Sequence, residues 1–210
     1  MKLSVIIPAH NEAKYIARTL NSIQGAEKIV VCNGCTDNTA ELARKHADKV
    51  IEINEANVSK ARNVGAKASS NDRLIFLDAD TIPSKSLLEK ISRSKYSVGA
   101  SKVKPDSKRI IEKLFMVQKT LINKLFRHCS GMLFCDKDLF NAVGGFRENL
   151  SKREDTTFLD AAAKNGHFGV VNAYVYTSMR RYRKKGYIYL AWYWLKENIK
   201  PSKKKYEVVR

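Results

Sequence analysis

The stretch Arg73-Leu74-Ile75-Phe76-Leu77-Asp78-Ala79-Asp80 decides the fold that this sequence predicts. It joins a continuous apolar run to a polar end, which is the pattern of a buried parallel strand that stops at the edge of a sheet. Similar runs occupy residues 3–7, 28–31 and 50–53, and each is followed by a segment with helical periodicity. This alternation predicts an α/β fold with a mostly parallel central sheet flanked by helices.

Polar residues follow each predicted strand where it ends. They are His10-Asn11-Glu12, Asn33-Gly34, Asn54-Glu55, and Asp78 with Asp80. Ligands of such sheets bind beyond the carboxyl ends of the strands, so we expect the functional crevice at this edge. Asn11 is also expected to cap the first helix.

The second half of the chain is less regular. Residues 108–127 are predicted to form a basic amphipathic helix, and 132–135 and 168–176 are predicted strands. Helices are expected at 156–164 and 187–199, followed by a loose basic tail. The sequence contains no repeat and no convincing boundary, which predicts a single domain over 1–210.

Length and charge limit the classes of protein that need to be considered. A chain of 210 residues suits one α/β domain with a substantial core. The net charge of +18 fits a phosphorylated substrate, an anionic membrane surface or nucleic acid. We expect no nucleic-acid partner, because no reading helix or RNA-binding aromatic motif is present. Without a spanning segment or a signal-peptide pattern, the chain is expected to be cytoplasmic.

Asp78 and Asp80 are the candidate metal ligands. Two carboxylates two residues apart at a strand end can reach toward one site. Mg²⁺ or Mn²⁺ is commonly shared between one or two carboxylates and substrate phosphates. The spacing alone also fits two solvated turn aspartates that cap the helix after Pro83.

Five motifs follow one another along the chain. They are Ser4-Val5-Ile6-Ile7-Pro8-Ala9-His10-Asn11-Glu12, Asn33-Gly34-Cys35-Thr36-Asp37-Asn38-Thr39, Ala61-Arg62-Asn63-Val64-Gly65, Leu77-Asp78-Ala79-Asp80, and Gly144-Gly145-Phe146-Arg147-Glu148 with Glu154-Asp155 after it. In this order they resemble family 2 glycosyltransferases of GT-A fold, from residue 3 to about residue 185. The resemblance implies an inverting transfer of a sugar from a nucleoside-diphosphate donor to the hydroxyl or phosphate of a glycan or lipid-linked acceptor.

The resemblance also implies a role for each of these positions. Asp80, with Asp78 nearby, would hold Mg²⁺ or Mn²⁺ beside the diphosphate leaving group. Asp155 would be the general base for the acceptor hydroxyl, although a carboxylate there also suits a helix N-terminus. Arg180 and Arg181 would bind the diphosphate. The positions expected to contact the nucleotide are Pro8, Ala9, His10, Asn11, Glu12, Asn33, Gly34, Arg62 and Asp78.

The same resemblance divides the chain by role and exposes one departure. Residues 1–100 would bind the nucleotide, 101–185 would face the acceptor, and 186–210 would form a basic aromatic helix and tail. The family usually has an acidic residue that contacts the base where Cys32 or Asn33 stands here, which leaves the nucleotide open.

The cysteines leave a second class of function open. Cys32 and Cys35 form a C-x-x-C pair after a strand, as in thioredoxin-like redox proteins. A redox protein is therefore one alternative. A non-catalytic nucleotide-sugar-binding protein is the other. A zinc site is disfavoured, because the spacing of Cys129 and Cys135 is not a usual one.

Basic and aromatic side chains are concentrated near the C-terminus. Between Arg180 and Lys205 there are ten Lys or Arg residues and one acid, Glu197, around an aromatic stretch at 187–195. Interfacial helices show this combination. It predicts peripheral attachment to the inner face of the cell membrane. Packing of Trp192 and Trp194 on the core or in a homodimer interface is the alternative.

Overall fold

The structure is a computed structural model that describes residues 1–126, 129–150, 152–190 and 192–193, with backbone alone at 118 and 121–126. Within these residues the strands are β1 (Leu3–Ala9), β2 (Glu27–Asn33), β3 (Lys49–Ile53), β4 (Arg73–Leu77), β5 (Thr81–Pro83), β6 (Val98–Pro105), β7 (Met132–Asp136) and β8 (Phe168–Thr177). The helices are α1 (Ile16–Asn21), α2 (Thr39–Arg44), α3 (Val58–Ala68), α4 (Leu87–Ser92), α5 (Ile110–Phe126), α6 (Lys137–Ala142), α7 (Glu154–Asn165) and α8 (Arg180–Lys185).

The strands form one sheet in the order β3-β2-β1-β4-β7-β6-β8-β5. β1, β2, β3 and β4 pair in parallel, as the strand–helix alternation predicts. β7 runs antiparallel between β4 and β6, β6 and β8 are parallel, and β5 is antiparallel to β8. The predicted α/β sheet is therefore confirmed, and its antiparallel strand β7 joins the two halves of the chain.

Side chains of the central strands alternate between two apolar cores. Val5 and Ile7 of β1 point into one core, which α1, α2 and α4 cover, while Ile6 points into the other. The second core is covered by α3, α6 and α7. Burial on both faces explains why these strands read as continuous apolar runs.

Gly65 allows α3 to pack very close to the sheet. A Cβ atom at this position would lie 2.4 Å from Cγ2 of Ile6, closer than real Cβ atoms approach their neighbours. Any larger residue would push α3 away from β1. The glycine therefore fixes the distance between the sheet and the helix that carries Arg62.

Two features differ from the sequence-based expectation, and a third could be compared only in part. Asn11 does not cap α1, because its backbone is left-handed (φ 54°) and the helix begins after Tyr15. The strands β5 and β6 were not expected, since neither segment is a long apolar run. Of the aromatic helix expected at 187–199, residues 187–190 and 192–193 are helical, while 191, 194–199 and the basic tail expected after them lie outside the described residues. No helix in the described part of the chain is long and apolar enough to cross a membrane.

Candidate functional site

The loops that follow β1 and β2 are joined by side-chain hydrogen bonds. The amide oxygen of Asn11 accepts from the backbone nitrogen of Thr36 at 2.8 Å. The hydroxyl of Thr39 accepts from the backbone nitrogen of Glu12 at 2.8 Å. The left-handed conformation of Asn11 is thus used to link the two loops, which positions Glu12 at the carboxyl end of the sheet.

Among the remaining nucleotide candidates on these two loops, Ala9 and Asn33 are buried, and Pro8, His10 and Gly34 are partly exposed. Nδ1 of His10 donates to the backbone carbonyl of Asn33, and the Asn33 amide oxygen is buried without a hydrogen-bond partner among the described residues. Ala9 is buried in the core, so only its backbone could contribute to a site. Gly34 is left-handed (φ 65°) and its nitrogen donates to the carbonyl of Ile53 at 2.7 Å.

The segment Asp78–Asp80 is held by three hydrogen bonds. The backbone nitrogen of Asp78 donates to the carbonyl of Gly131 at 2.9 Å, and its carbonyl accepts from Thr81 at 3.0 Å. The hydroxyl of Thr19 donates to the carbonyl of Ala79 at 2.7 Å. Ala79 is buried between the two aspartates, whose side chains are 47% and 14% exposed. The two carboxylates are therefore presented from a fixed backbone.

Arg180 pairs with two carboxylates from different strand ends. Its Nε lies 3.2 Å from Oδ2 of Asp80, and a terminal nitrogen donates to Oε1 of Glu12. Its guanidinium also lies 4.8 Å from the ring centroid of Tyr15. Arg180 is the first residue of α8, so this pairing brings the C-terminal half of the chain onto the predicted nucleotide loops.

The charges around Asp80 favour a cation. The pKa of Asp80 is raised to about 6, mainly by burial and also by the Asp78 and Glu12 carboxylates, while Arg180 and Arg181 lower it. The second oxygen of Glu12 is buried without a hydrogen-bond partner in the described part of the chain. Burial and the two neighbouring carboxylates therefore disfavour the Asp80 anion more than the arginines favour it.

The residues fit a divalent cation that takes some of its ligands from the phosphates of a substrate. No group of three or more His, Cys, Asp or Glu side chains suited to a metal occurs among the described residues. Mg²⁺ needs fewer protein ligands, since one or two carboxylates and substrate phosphates commonly hold it. Asp80 and Asp78 can provide those carboxylates, and the buried free oxygen of Glu12 shows a local excess of acceptors.

Arg62 connects the Asp78 loop to the start of α7. Its guanidinium nitrogens lie 3.1 Å from Oε1 of Glu154 and 3.7 Å from Oδ1 of Asp78, and its carbon lies 5.0 Å from the ring centroid of Phe146. Burial raises the pKa of Glu154, the adjacent Asp155 carboxylate adds to the rise, and Arg62 opposes it. Arg62 thus provides a counter-charge for a mostly buried carboxylate beside the site.

Asp155 is held by two donors at the N-terminus of α7. Its Oδ2 accepts from the thiol of Cys129 at 3.2 Å, and its Oδ1 accepts from the backbone nitrogen of Thr156 at 2.7 Å. Burial raises the pKa of the Cys129 thiol well above its ordinary value, and the Asp155 charge adds to this. Cys129 therefore stays a protonated donor, a role that no sequence pattern indicated.

The geometry of the C-x-x-C pair argues against a redox function. Cys32 is buried in the core below the site, and burial raises the pKa of its thiol to about 12. A reactive cysteine needs an accessible thiolate. The thiol of Cys35 donates to the carbonyl of Ala9 at 3.3 Å, so it joins the first two loops.

The structure thus brings two groups of predicted residues together. Glu12, Asp80 and Arg180 form the first group. In the second group Arg62 links Asp78 to Glu154, which is followed in the chain by Asp155. Arg181 lies close enough for its charge to lower the pKa of Asp80. The partners that sequence reasoning missed are Tyr15, Cys129, Gly131 and Glu154 as the ion-pair partner of Arg62. They come from separate segments, so no local spacing could indicate them.

The first half of the chain is similar to a known protein family. Residues 4–94 match the model of the family Glycosyl transferase family 2. Poly(ribitol-phosphate) beta-N-acetylglucosaminyltransferase TarS of Staphylococcus aureus (strain Mu50) is 32% identical over 102 residues, which cover 42% of this chain and 18% of TarS. Glycosyltransferase AglE of Haloferax volcanii is 37% identical over 101 residues, which cover 42% of this chain and 33% of AglE. The chain therefore matches about a fifth to a third of the length of these curated relatives.

Solved structures extend the similarity to most of the chain. Residues 1–349 of S. aureus TarS in complex with UDP-GlcNAc give a TM-score of 0.69 at 26% identity, covering 85% of this chain and 58% of that one. The mannosyltransferase PcManGT of Pyrobaculum calidifontis, in complex with GDP-Man and Mn²⁺, gives 0.65 at 19% identity, covering 91% and 59%. The expected GT-A fold is confirmed.

Proposed function

We propose that the chain is a glycosyltransferase that moves a sugar from a nucleoside-diphosphate donor to an acceptor hydroxyl or phosphate, with inversion at the sugar carbon. One observation carries the proposal: Asp80 at the end of β4 and Glu12 at the end of β1 meet Arg180 of α8. Both carboxylates and the guanidinium stand at the edge where α/β sheets bind ligands. The family match at 4–94 and the UDP-GlcNAc complex of TarS support this choice of reaction.

The donor side would be formed by the strand ends and α8. The nucleotide would lie along the loops that contain Pro8, His10, Glu12, Asn33 and Gly34. A bound Mg²⁺ or Mn²⁺ would stabilise charge on the diphosphate as a Lewis acid, held by Asp80 with Asp78 beside it. Similar folds have been solved with Mn²⁺ or Mg²⁺, which supports this expectation.

Arg180 would change partners when the donor binds. In the structure its guanidinium pairs with Asp80 and Glu12. The fork geometry of arginine also suits diphosphate oxygens. Arg180 would therefore turn toward the diphosphate, and Arg181 would add a second positive charge close to the leaving group.

The acceptor side would be formed by α7. Asp155 would take the proton of the attacking hydroxyl, a step that contributes about 10²–10⁴-fold to the rate in general-base catalysis. The Cys129 thiol and the Thr156 nitrogen fix the orientation of this carboxylate. Arg62 and Glu154 would hold α7 at a constant distance from the Asp78 loop. A glycan or a lipid-linked molecule would serve as the acceptor.

A thermal-shift screen tests the donor half of this proposal. UDP-, GDP- and dTDP-sugars are added to the parent chain with and without Mn²⁺. A ligand present at about 100 times its Kd adds about 2.7 kcal/mol to the unfolding free energy, which gives a clear rise in Tm. We expect at least one donor to raise Tm in a Mn²⁺-dependent way.

Two variants make the screen specific. The rise should disappear in Asp80→Ala and remain in Asp138→Ala, which removes an exposed carboxylate on α6. If no nucleotide sugar raises Tm, or if Asp80→Ala behaves as the parent does, the proposed donor site is wrong. Mn²⁺-dependent binding without any turnover would favour the alternative of a non-catalytic nucleotide-sugar-binding protein.

A further inference from the structure

The outward side of α5 is apolar, although it faces solvent. Ile110, Ile111, Leu114 and Val117 are 74%, 64%, 66% and 61% exposed. Residues with this spacing lie on one side of a helix. An exposed helix normally presents polar side chains on this side. The apolar pattern therefore indicates a surface that is covered when the protein binds a partner.

The inward side of α5 is fixed by α8 and the residues after it. Glu112 is fully buried, and Arg183 donates to its two oxygens at 2.9 Å and 3.0 Å. The hydroxyl of Tyr187 donates to the same carboxylate. The Phe115 ring lies 5.1 Å from that of Tyr182 between centroids. Rotation of α5 to bury its apolar side would break this ion pair, so the outward side stays exposed.

A second exposed apolar row follows α8. Ile188, Tyr189 and Trp192 are 87%, 52% and 59% exposed, and they lie in the helical residues 187–190 and 192–193. Tyr187, which directly precedes this row, contacts Phe115 and Glu112 of α5, so the second row starts next to that helix. We use the name α5–α8 face for the exposed residues of α5 together with those that follow α8. They are Ile110, Ile111, Leu114 and Val117, and Ile188, Tyr189 and Trp192.

The charge around the α5–α8 face is basic. Exposed cationic side chains lie beside both rows, namely Lys108, Arg109, Lys113 and Lys184. The acid of α5, Glu112, is buried against Arg183. The sequence has no acidic residue between Asp160 and Glu197. An occupant of this face must therefore tolerate apolar contact and bring negative charge.

We propose that the α5–α8 face docks onto an anionic lipid bilayer. Apolar and aromatic side chains bordered by Lys and Arg suit the boundary between headgroups and acyl chains. Basic side chains are attracted to the negative surface of such a membrane.

Two other occupants fit the charge less well. A second copy of the chain would place the same basic border against itself, and such like-charge contacts are unfavourable. The chain's own residues 194–210 carry six basic and two acidic side chains, so they would be repelled as well.

The face is directly connected to the candidate donor site. α8 begins at Arg180, which pairs with Asp80, and ends just before the second apolar row. A bilayer on this face would lie beside the site. If the proposed transfer is correct, a lipid-linked acceptor would be presented there, but docking itself does not depend on that reaction.

Vesicle sedimentation of the parent chain tests the proposal. Phosphatidylcholine vesicles are compared with vesicles that also contain phosphatidylglycerol, at low and high salt. We expect binding to the anionic vesicles at low salt, weaker binding at high salt, and a blue shift of Trp fluorescence on binding. The face variant Leu114→Asp/Ile188→Asp should bind about tenfold more weakly or worse, because both side chains would enter the apolar boundary.

A control adds the same charges elsewhere. Asn141→Asp/Ala142→Asp places two aspartates at exposed positions of α6, on the opposite side of the sheet, and should bind as the parent does. Three outcomes would overturn the proposal: no binding of the parent to anionic vesicles, equal binding of the face and control variants, or a dimer that the face variant dissociates in the absence of vesicle binding. The Mn²⁺-dependent thermal shift is measured on the same samples, so failure of docking and failure of the donor site are distinguished.

Discussion

Replacement of Arg62 by methionine is expected to destabilise the protein strongly, and most of all near neutral pH. The arginine is buried, pairs with Glu154 at 3.1 Å and lies over the ring of Phe146. Methionine keeps much of the packing on the ring but leaves the buried Glu154 without its counter-charge. Removal of one partner of a buried pair costs about 3–5 kcal/mol. For a chain of this size that lowers Tm by about 6–20 °C.

The pH dependence follows from the pKa of Glu154. Burial already raises this pKa above that of the unfolded chain, and loss of Arg62 raises it further. A carboxyl whose pKa is higher in the folded state destabilises the fold where it is ionised, and this cost disappears as the pH falls through the folded pKa. The loss of unfolding free energy should therefore be large at pH 7 and smaller at pH 5.

Urea unfolding followed by circular dichroism at both pH values measures the effect. Arg18→Met, which breaks the exposed pair with Asp106, is the control and should cost less than about 1 kcal/mol. In Arg62→Met/Glu154→Gln the unpaired charge is gone, so most of the lost stability should return. The reasoning is refuted if Arg62→Met unfolds like the Arg18→Met control at pH 7, or loses as much stability at pH 5.

Three further results are expected. Mn²⁺ binding in the presence of nucleoside diphosphate, measured by calorimetry, should weaken as the pH falls through about 6, because protons compete for Asp80; unchanged affinity at pH 5 would exclude Asp80 as a ligand. Gly65→Ala should lower the unfolding free energy by about 1–3 kcal/mol in urea, because its methyl group would meet Ile6, whereas no loss would show that α3 can move. Cys32→Ala/Cys35→Ala should keep donor turnover with and without reductant, and loss of turnover only in the doubly substituted chain would revive the redox alternative.

The parallel part of the fold could be predicted because its signals are local. β1, β2 and β4 are apolar on both faces, so each reads as an unbroken run that ends at a polar cluster. β5 and β6 gave no such signal. β5 has three residues, and β6 carries Lys102 and Lys104 on its outer part, so only pairing with β8 makes them strands.

The residues of the candidate site could be predicted from the sequence, but most of the contacts between them could not. Asp80 and Arg180 were both expected near a diphosphate, but their pairing joins positions 100 residues apart and depends on how β8 crosses the sheet. The Cys129 thiol on Asp155 is also a tertiary contact with no sequence spacing. The assignment of 1–100 to the nucleotide and 101–185 to the acceptor stays a prediction.

The release of nucleoside diphosphate from the donor found in the screen tests the central claim most directly. It is measured on the parent and on Asp155→Asn, with donor affinity determined for both, and with Asp160→Asn as a control that alters an exposed carboxylate on the same helix. The account predicts that Asp155→Asn binds the donor as the parent does in Mn²⁺, but releases the nucleotide about 10²–10⁴-fold more slowly, while Asp160→Asn is unchanged. Release at the parent rate by Asp155→Asn would contradict the account.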